Sequence, residues 1–127
     1  MNLDGYRFTE SHEWAHAADG LVYVGITDHA QDEITEVVYV ELPEPGGRAV
    51  KGEELLLLDS VKASFSIYAP VSGTITQVND ILGEQPGLVN TSPYEEGWMV
   101  AITPNDISEM DDLLTAADYE RLIESES

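Results

Sequence analysis

The sequence predicts an all-β-dominated fold, a β-sandwich or barrel with short peripheral helices and a helical tail at the C-terminal end. Short runs of β-branched and aromatic residues recur along the chain, and clusters of Gly, Pro, Asn and Asp separate them, which is the pattern of short strands joined by turns. Helical spacing of apolar residues begins only near residue 106. With 127 residues, 43% of them hydrophobic, the chain can form one core but not two. We therefore predict a single domain over residues 1–127, with residues 106–127 as a helical extension.

The first half of the chain predicts two strands and a short helix. Residues 21–26 follow an Asp-Gly turn signal and are rich in β-branched residues, so we expect a strand. Asp28, with Gln31 three residues later, has the spacing of an N-cap and predicts a helix over residues 28–34. Residues 37–42 predict another strand, which a Pro- and Gly-rich cluster ends.

The second half predicts more strands and then the tail. The strands are expected over residues 54–61, 66–71, 74–78 and 98–102. Residues 79–93 are rich in Gly, Pro, Asn and Ser, which favours a long surface connection. Thr115 and Asp118 have the spacing of a helix cap. The apolar residues that a tail helix could gather on one face are Leu113, Leu114, Ala117, Leu122 and Ile123.

The charge balance limits the partners. Twenty-five acidic residues against five basic ones give a formal net charge of −20, which repels phosphate backbones and anionic lipid surfaces. We therefore expect no nucleic-acid or membrane partner. One hypothesis for this charge is a surface adapted to strong salt, where screening removes the self-repulsion; it implies a salt-adapted prokaryotic source.

Composition also limits chemistry and location. The absence of cysteine excludes disulfides, thiol catalysis and thiolate metal sites. The first six residues carry no basic segment followed by an apolar run, and the longest apolar stretch, residues 55–58, is too short to cross a bilayer. These observations predict a soluble cytoplasmic protein.

Lys62 is the candidate functional residue. The chain has only two lysines, Lys51 and Lys62. Gly52 lies ten positions before Lys62 (62 − 52) and Gly73 eleven after it (73 − 62), so two strands of similar length lead into and out of the lysine. Folded as a hairpin, they place its amine at the tip, where an enzyme can modify it. The spacing alone fits a solubilising tip lysine equally well.

The chain resembles the glycine cleavage H proteins in several separate segments. The central ones are Asp-Ser-Val-Lys-Ala at residues 59–63 and Ala-Pro-Val-Ser-Gly at residues 69–73. The other matching segments are residues 11–14, 24–31, 37–43, 88–90, 93–94 and 97–98. Ordered matches along nearly the whole chain make a far stronger signal than Val-Lys-Ala alone.

The resemblance implies a lipoyl/biotinyl-type barrel-sandwich hybrid and a carrier function. Lipoate is expected in amide linkage on Lys62, which removes the charge of the lysine. The carrier would take the aminomethyl group of glycine from a pyridoxal-phosphate glycine decarboxylase to a tetrahydrofolate-dependent aminomethyltransferase. A dihydrolipoyl dehydrogenase would then reoxidise it. The protein would catalyse no reaction itself, and we expect it to be a monomer.

The resemblance also assigns residues around the lysine. Asp59, Ser60, Val61 and Ala63 would form the attachment hairpin that the lipoylating enzyme recognises, with Asp59 in place of the family's common Glu. Ser11 and Glu13 match the residues that hold the amine of the loaded arm in a surface cleft. Ser66 stands where the family commonly has an acidic residue, so one anionic partner for that amine is missing.

A competing motif is the formal His-Glu-x-x-His match at residues 12–16, the signature of zinc proteases. The segment runs into an Asp-Gly turn and a strand, which favours a β-hairpin. Residues four apart on a strand are separated by about 13 Å at ~3.3 Å per residue, too far for His12 and His16 to share one zinc ion. His29 is the only other histidine, and no metal site is predicted.

Two other carriers remain as alternatives. An H-like protein that relays lipoate to other lipoyl proteins would use the same lysine. A biotinyl carrier is less compatible, because Val61 and Ala63 flank the lysine where biotin acceptors usually have methionines.

Overall fold

The computed structural model describes residues 5–126 as nine strands and five short helices. The strands are β1 (Tyr6–Phe8), β2 (Glu13–Ala18), β3 (Leu21–Ile26), β4 (Val37–Glu41), β5 (Arg48–Ala49), β6 (Glu54–Ser60), β7 (Ser64–Tyr68), β8 (Gly73–Val78) and β9 (Val100–Pro104). The α-helices are α1 (Asp28–Ile34), α2 (Leu88–Thr91) and α3 (Ala116–Glu126), and 3₁₀ helices span Asp80–Gly83 and Ile107–Asp112. Residues 1–4 and 127 lie outside the described residues. The single-domain prediction for residues 1–127 and the signal-peptide prediction for the first six residues both include some of them.

The strands form two open sheets. The larger sheet has the order β1-β2-β3-β9-β8-β5, and the smaller has the order β4-β6-β7. All neighbouring strands are antiparallel. The predicted all-β-dominated fold with peripheral helices and a helical tail is confirmed.

The core forms because alternate residues of the strands point to the same side. In β3, Val22 and Val24 are fully buried while Leu21 and Tyr23 are only partly so. Leu58 of β6 and Ile75 of β8 join the same buried cluster. Since this cluster draws on both sheets, its burial holds the β6–β7 ribbon against the larger sheet.

Several element boundaries differ from the prediction. The N-cap of α1 is Thr27, not Asp28, because the Thr27 side chain accepts a hydrogen bond from the Ala30 amide. Asp28 accepts one from the Gln31 side chain at 3.0 Å instead. The ribbon strand predicted over residues 66–71 is Ser64–Tyr68, and the last strand begins at Val100 rather than residue 98.

The segment predicted as a surface connection contributes to the core. Residues 79–93 include a 3₁₀ helix and α2, which bury Leu82 and Val89. The Asn79 side chain is itself buried and donates to the carbonyl oxygens of Glu96 and Trp98, both at 2.8 Å. A polar residue of this segment therefore provides hydrogen bonds to buried backbone carbonyl groups, and polar composition alone did not mean that the segment lies on the surface.

The C-terminal helix packs on a second, aromatic cluster built around Phe8, Trp14 and Tyr119. The predicted cap is confirmed, since the Asp118 amide donates to the Thr115 hydroxyl at 3.2 Å. The predicted apolar face is only partly right. Leu122 and Ile123 of α3 pack on the aromatic cluster, and so does Leu114 just before the helix. Leu113 packs on the main core instead, and Ala117 is exposed while Ala116 packs on the aromatic cluster.

Few basic groups offset the acidic surface. Two pairs between a carboxylate and Lys or Arg lie within residues 5–126, Lys51–Asp112 and Arg121–Asp118. None of the helices in this range is long and apolar enough to cross a lipid bilayer.

We expect the melting temperature to rise by several degrees between about 0.01 and 1 M sodium chloride, as the Debye length falls from about 30 to 3 Å. Thermal unfolding followed by circular dichroism measures the effect. The control is the same salt series near the isoelectric point of about 4.1, where little net charge remains to be screened and the rise should be much smaller. A melting temperature that stays constant or falls with salt would contradict the salt-adaptation hypothesis.

Candidate functional site

The β6–β7 ribbon carries Lys62 at its tip. Asp59 pairs with Ser64 in the antiparallel register, and residues 61–63 close the turn. The Ser60 hydroxyl accepts hydrogen bonds from the amides of Lys62 and Ala63, at 3.0 and 3.2 Å. The Ser60 amide also donates to the Ala63 carbonyl oxygen at 2.9 Å. One serine thus fixes the backbone from which the lysine side chain projects.

Two further contacts brace the ribbon tip. The Ser64 hydroxyl donates to the Asp59 carboxylate at 2.6 Å, which links the two strands one step below the turn. The Val61 amide donates to the Glu36 carbonyl oxygen at 3.0 Å, which ties the turn to the segment after α1. Val61, Lys62 and Ala63 are all exposed, so an ordered backbone presents freely accessible side chains.

A cleft of about 250 Å³ opens beside the Lys62 side chain. The Lys62 ammonium donates to the backbone carbonyl oxygen of Glu33 at 3.4 Å, and no carboxylate of residues 5–126 forms an ion pair with it. The cleft is lined by Ser11, His12, Ile26, Ala30, Glu33, Ile34, Lys62, Phe65, Ser66 and Ile67. Its walls are mainly apolar, with one carboxylate, one imidazole and two hydroxyls among them.

Comparison with known proteins shows which family the chain belongs to. The family model described as glycine cleavage H-protein matches residues 6–126. The chain belongs to the glycine cleavage H-protein family. This match covers the ribbon, the cleft and both sheets.

The chain is also similar to individual glycine cleavage system H proteins, both in sequence and in structure. The chain is 49% identical over 120 residues to the glycine cleavage system H protein of Alcanivorax borkumensis, covering 94% of each chain. It is 46% identical over 124 residues to the mitochondrial one of Flaveria pringlei, covering 98% of this chain and 76% of that protein. The crystal structure of a glycine cleavage system H protein from Mycobacterium marinum superposes with a TM-score of 0.84 at 35% identity, covering 92% of this chain and 94% of that one. The likeness in structure supports the lipoyl-type fold class.

Apart from Glu13, the residues predicted from the H-protein resemblance divide into two groups. Lys62, Ser11 and Ser66 line the same cleft, and Asp59, Ser60, Val61 and Ala63 form the ribbon tip beside it. The Ser66 hydroxyl donates to the Glu54 carboxylate at 2.8 Å, so this serine brings an acidic group near the cleft without carrying one itself.

Glu13 is placed differently from the other H-protein cleft residues. Its side chain is only 1% exposed and lines a neighbouring cavity of about 270 Å³, which it shares with Ser11. One carboxylate oxygen accepts from the hydroxyls of Thr9 and Ser11 at 2.5 and 2.6 Å, and the other accepts from the Tyr68 amide at 3.2 Å. Glu13 therefore orients Ser11 and connects β2 to the ribbon strand β7.

Sequence reasoning missed Glu33, the carboxylate that lines the Lys62 cleft. Glu33 lies on α1, far from the lysine along the chain, and its side chain is mostly exposed. A signal was present: His29 and Glu33 are four residues apart on a predicted helix and therefore share a face. Nothing in the sequence indicated that this face meets the ribbon tip.

The His-Glu-x-x-His match does not bring its histidines together. The segment is strand β2 with a short lead-in and pairs with β3, as the hairpin prediction required. The His16 ring stacks on Tyr6 with centroids 4.2 Å apart, and its Nδ1 is buried with no hydrogen-bond partner among residues 5–126. The His12 ring instead lies 4.9 Å from that of His29.

A buried phenol supports the wall of the cleft that holds His12. The Tyr119 hydroxyl lies 2.7 Å from His12 Nδ1 and 2.7 Å from the Thr27 hydroxyl. Burial raises the pKa of Tyr119 well above the usual value for a phenol. Nearby, burial also raises the pKa of Tyr94, whose hydroxyl accepts from the Asp28 amide at 3.0 Å. Both rings stay neutral at ordinary pH, so they act as hydrogen-bonding supports and not as bases.

Proposed function

We propose that this chain is the carrier protein of a glycine cleavage system and that Lys62 carries its lipoyl group. The observation that supports this most directly is the exposed amine of Lys62 at the end of a braced β-ribbon, beside a mainly apolar cleft. Membership of the H-protein family supplies the chemistry that such an amine would serve.

The residues around Lys62 fit a lipoyl group. Its ammonium has no carboxylate partner among residues 5–126, so acylation breaks no ion pair in this part of the chain. Ile34, Phe65 and Ile67 give the cleft an apolar wall suited to a hydrocarbon stem. When bound, the lipoyl group supplies a disulfide that takes up the aminomethyl group of glycine and later releases it to the next enzyme.

The chain's own residues present and shelter the arm. Ser60 holds the turn so that the lysine projects outward, and the Asp59 carboxylate is the feature next to it that a lipoylating enzyme can recognise. Glu33 is the carboxylate in the cleft wall, and we assign to it the electrostatic attraction for a cationic amine that Ser66 lacks. Ser11, oriented by Glu13, adds a hydroxyl.

The proposed partners are those of the glycine cleavage system. They are a pyridoxal-phosphate glycine decarboxylase, an aminomethyltransferase, a dihydrolipoyl dehydrogenase and a lipoylating enzyme. We propose that the chain itself is non-catalytic, because tethering alone raises the effective concentration of the carried group at each partner's active site. The cytoplasmic location stays a prediction, since the relatives include both mitochondrial and bacterial proteins. The monomeric state also stays a prediction.

The test is glycine-dependent exchange of labelled carbon dioxide with a purified glycine decarboxylase. We expect exchange with the lipoylated protein and only background exchange with the unlipoylated protein made in a lipoate-deficient host. Intact mass establishes which form is present. A fully lipoylated protein that supports no exchange, but passes its lipoyl group to another lipoyl protein, would replace the carrier proposal with the lipoate-relay function.

A further inference from the structure

Four metal-ligating side chains from three separate parts of the chain converge beside α1. His12 lies before β2, His29 and Glu33 lie one turn apart on α1, and Glu126 is at the end of α3. One ligand atom from each lies within 4.8 Å of the others. His12 Nε2 is 3.2 Å from Glu126 Oε1, and His29 Nε2 is 2.5 Å from Glu33 Oε1.

We propose that these four residues bind one divalent transition-metal ion of the zinc, nickel or cobalt type. Imidazole nitrogens combined with carboxylate oxygens suit such ions better than magnesium or calcium, which prefer oxygen ligands alone. In tetrahedral zinc sites the ligand atoms lie about 2.0–2.2 Å from the metal and thus about 3.4 Å apart. Because Glu33 and Glu126 are exposed, their carboxylates can change rotamer towards that arrangement around the partly buried imidazoles.

A hydrogen-bonded chain behind His12 orients its ring for this purpose. The Thr27 hydroxyl oxygen accepts from the Ala30 amide at 3.1 Å, and the Tyr119 hydroxyl can donate to the same oxygen. The Tyr119 oxygen then accepts a hydrogen bond from Nδ1–H of His12. This tautomer leaves Nε2 with a lone pair that points at the carboxylates, as in metal sites where a second hydrogen bond fixes a ligating histidine.

The local charge also favours a cation. Within residues 5–126, neither Glu33 nor Glu126 forms an ion pair with a Lys or Arg. Both carboxylates are exposed, whereas both imidazoles are partly buried, so an ion can enter from solvent and meet nitrogen ligands held by the fold. A divalent ion would neutralise two carboxylates of a chain whose net charge is −20.

Binding would add a second set of links to the hydrogen bonds by which Tyr119 already joins these elements. The ion would connect the C-terminal helix α3 to α1 and to the segment before β2. His12 and Glu33 also line the Lys62 cleft, so an occupied metal site would withdraw the Glu33 carboxylate from that cleft. The site does not depend on lipoylation, and its test therefore uses the unlipoylated chain.

The experiment is titration of metal-free, unlipoylated full-length protein with zinc and with nickel by calorimetry, with elemental analysis of the saturated protein. We expect one ion per chain and a higher melting temperature in its presence. We expect His29→Gln and Glu126→Gln each to weaken binding by about tenfold or more. Both side chains are partly or mostly exposed, so these variants should keep the fold.

His16→Gln is the matched control, because His16 lies on β2 outside the cluster and should leave binding unchanged. Metal-free melting curves establish that each variant is folded. The proposal is overturned if saturation falls well short of one ion per chain, or if His29→Gln binds as tightly as the unmodified chain. Loss of binding in His16→Gln with retention in His29→Gln would instead restore the His-Glu-x-x-His interpretation.

Discussion

The Lys62→Arg variant is expected to carry no lipoyl group and to reduce glycine-dependent carbon dioxide exchange to background. Acylation needs a neutral amine as nucleophile, and the arginine guanidinium stays protonated at every accessible pH. The only other lysine, Lys51, lies outside the ribbon tip and pairs with Asp112 at 3.2 Å. The chain therefore has no second residue that could accept the group. Intact mass and the exchange assay measure the two losses separately.

Lys51→Arg is the control for this loss. It keeps the charge and can still pair with Asp112, so we expect full lipoylation and unchanged exchange. Lys62→Arg should also keep its free energy of unfolding to within about 0.5 kcal/mol, as surface substitutions usually do, because Lys62 is exposed and its ammonium makes one long hydrogen bond. A lipoyl group found on the Lys62→Arg protein would refute the assignment of the attachment site.

The ribbon was predictable because its determinants are local. A continuous run of four leucines defines β6. Glycine and proline mark its surroundings, and the lysine falls midway between Gly52 and Gly73. The role of Ser60 in bracing the tip follows from a hydroxyl two residues before Lys62, a spacing that favours local bonds to backbone amides. The sequence thus contained most of what positions the amine.

The cleft was only partly predictable because its walls come from distant segments. Glu33 reaches the ribbon tip through the packing of α1, and no local pattern encodes that contact. Glu13 has the residue type of an amine ligand, yet three hydrogen bonds from within the fold occupy its carboxylate. The short strands β1 and β5 were missed for a related reason, since three or two residues cannot display a period of two.

The Trp14→Ala variant is expected to lose about 3 to 5 kcal/mol of unfolding free energy, the usual range for removing a large buried aromatic side chain. Trp14 is 1% exposed, and its indole Nε1 donates to the Pro93 carbonyl oxygen at 2.9 Å in the interior. The substitution leaves both a cavity and an unpaired buried acceptor. Urea denaturation measures the loss. Tyr39→Ala is the control, because Tyr39 is exposed and should cost far less.

The Trp14 indole also packs against the neighbouring strand, because Trp14 of β2 faces Gly25 of β3 in the antiparallel pair. A Cβ on Gly25 would lie 2.7 Å from the indole ring, so the ring packs directly on the glycine backbone. Gly25→Ala should therefore cost about 1 to 3 kcal/mol through overpacking. In a Trp14→Ala background the same change should cost much less, because the ring that it would strike is gone. Additive losses in this double-mutant cycle would show that the indole does not occupy the space opposite Gly25.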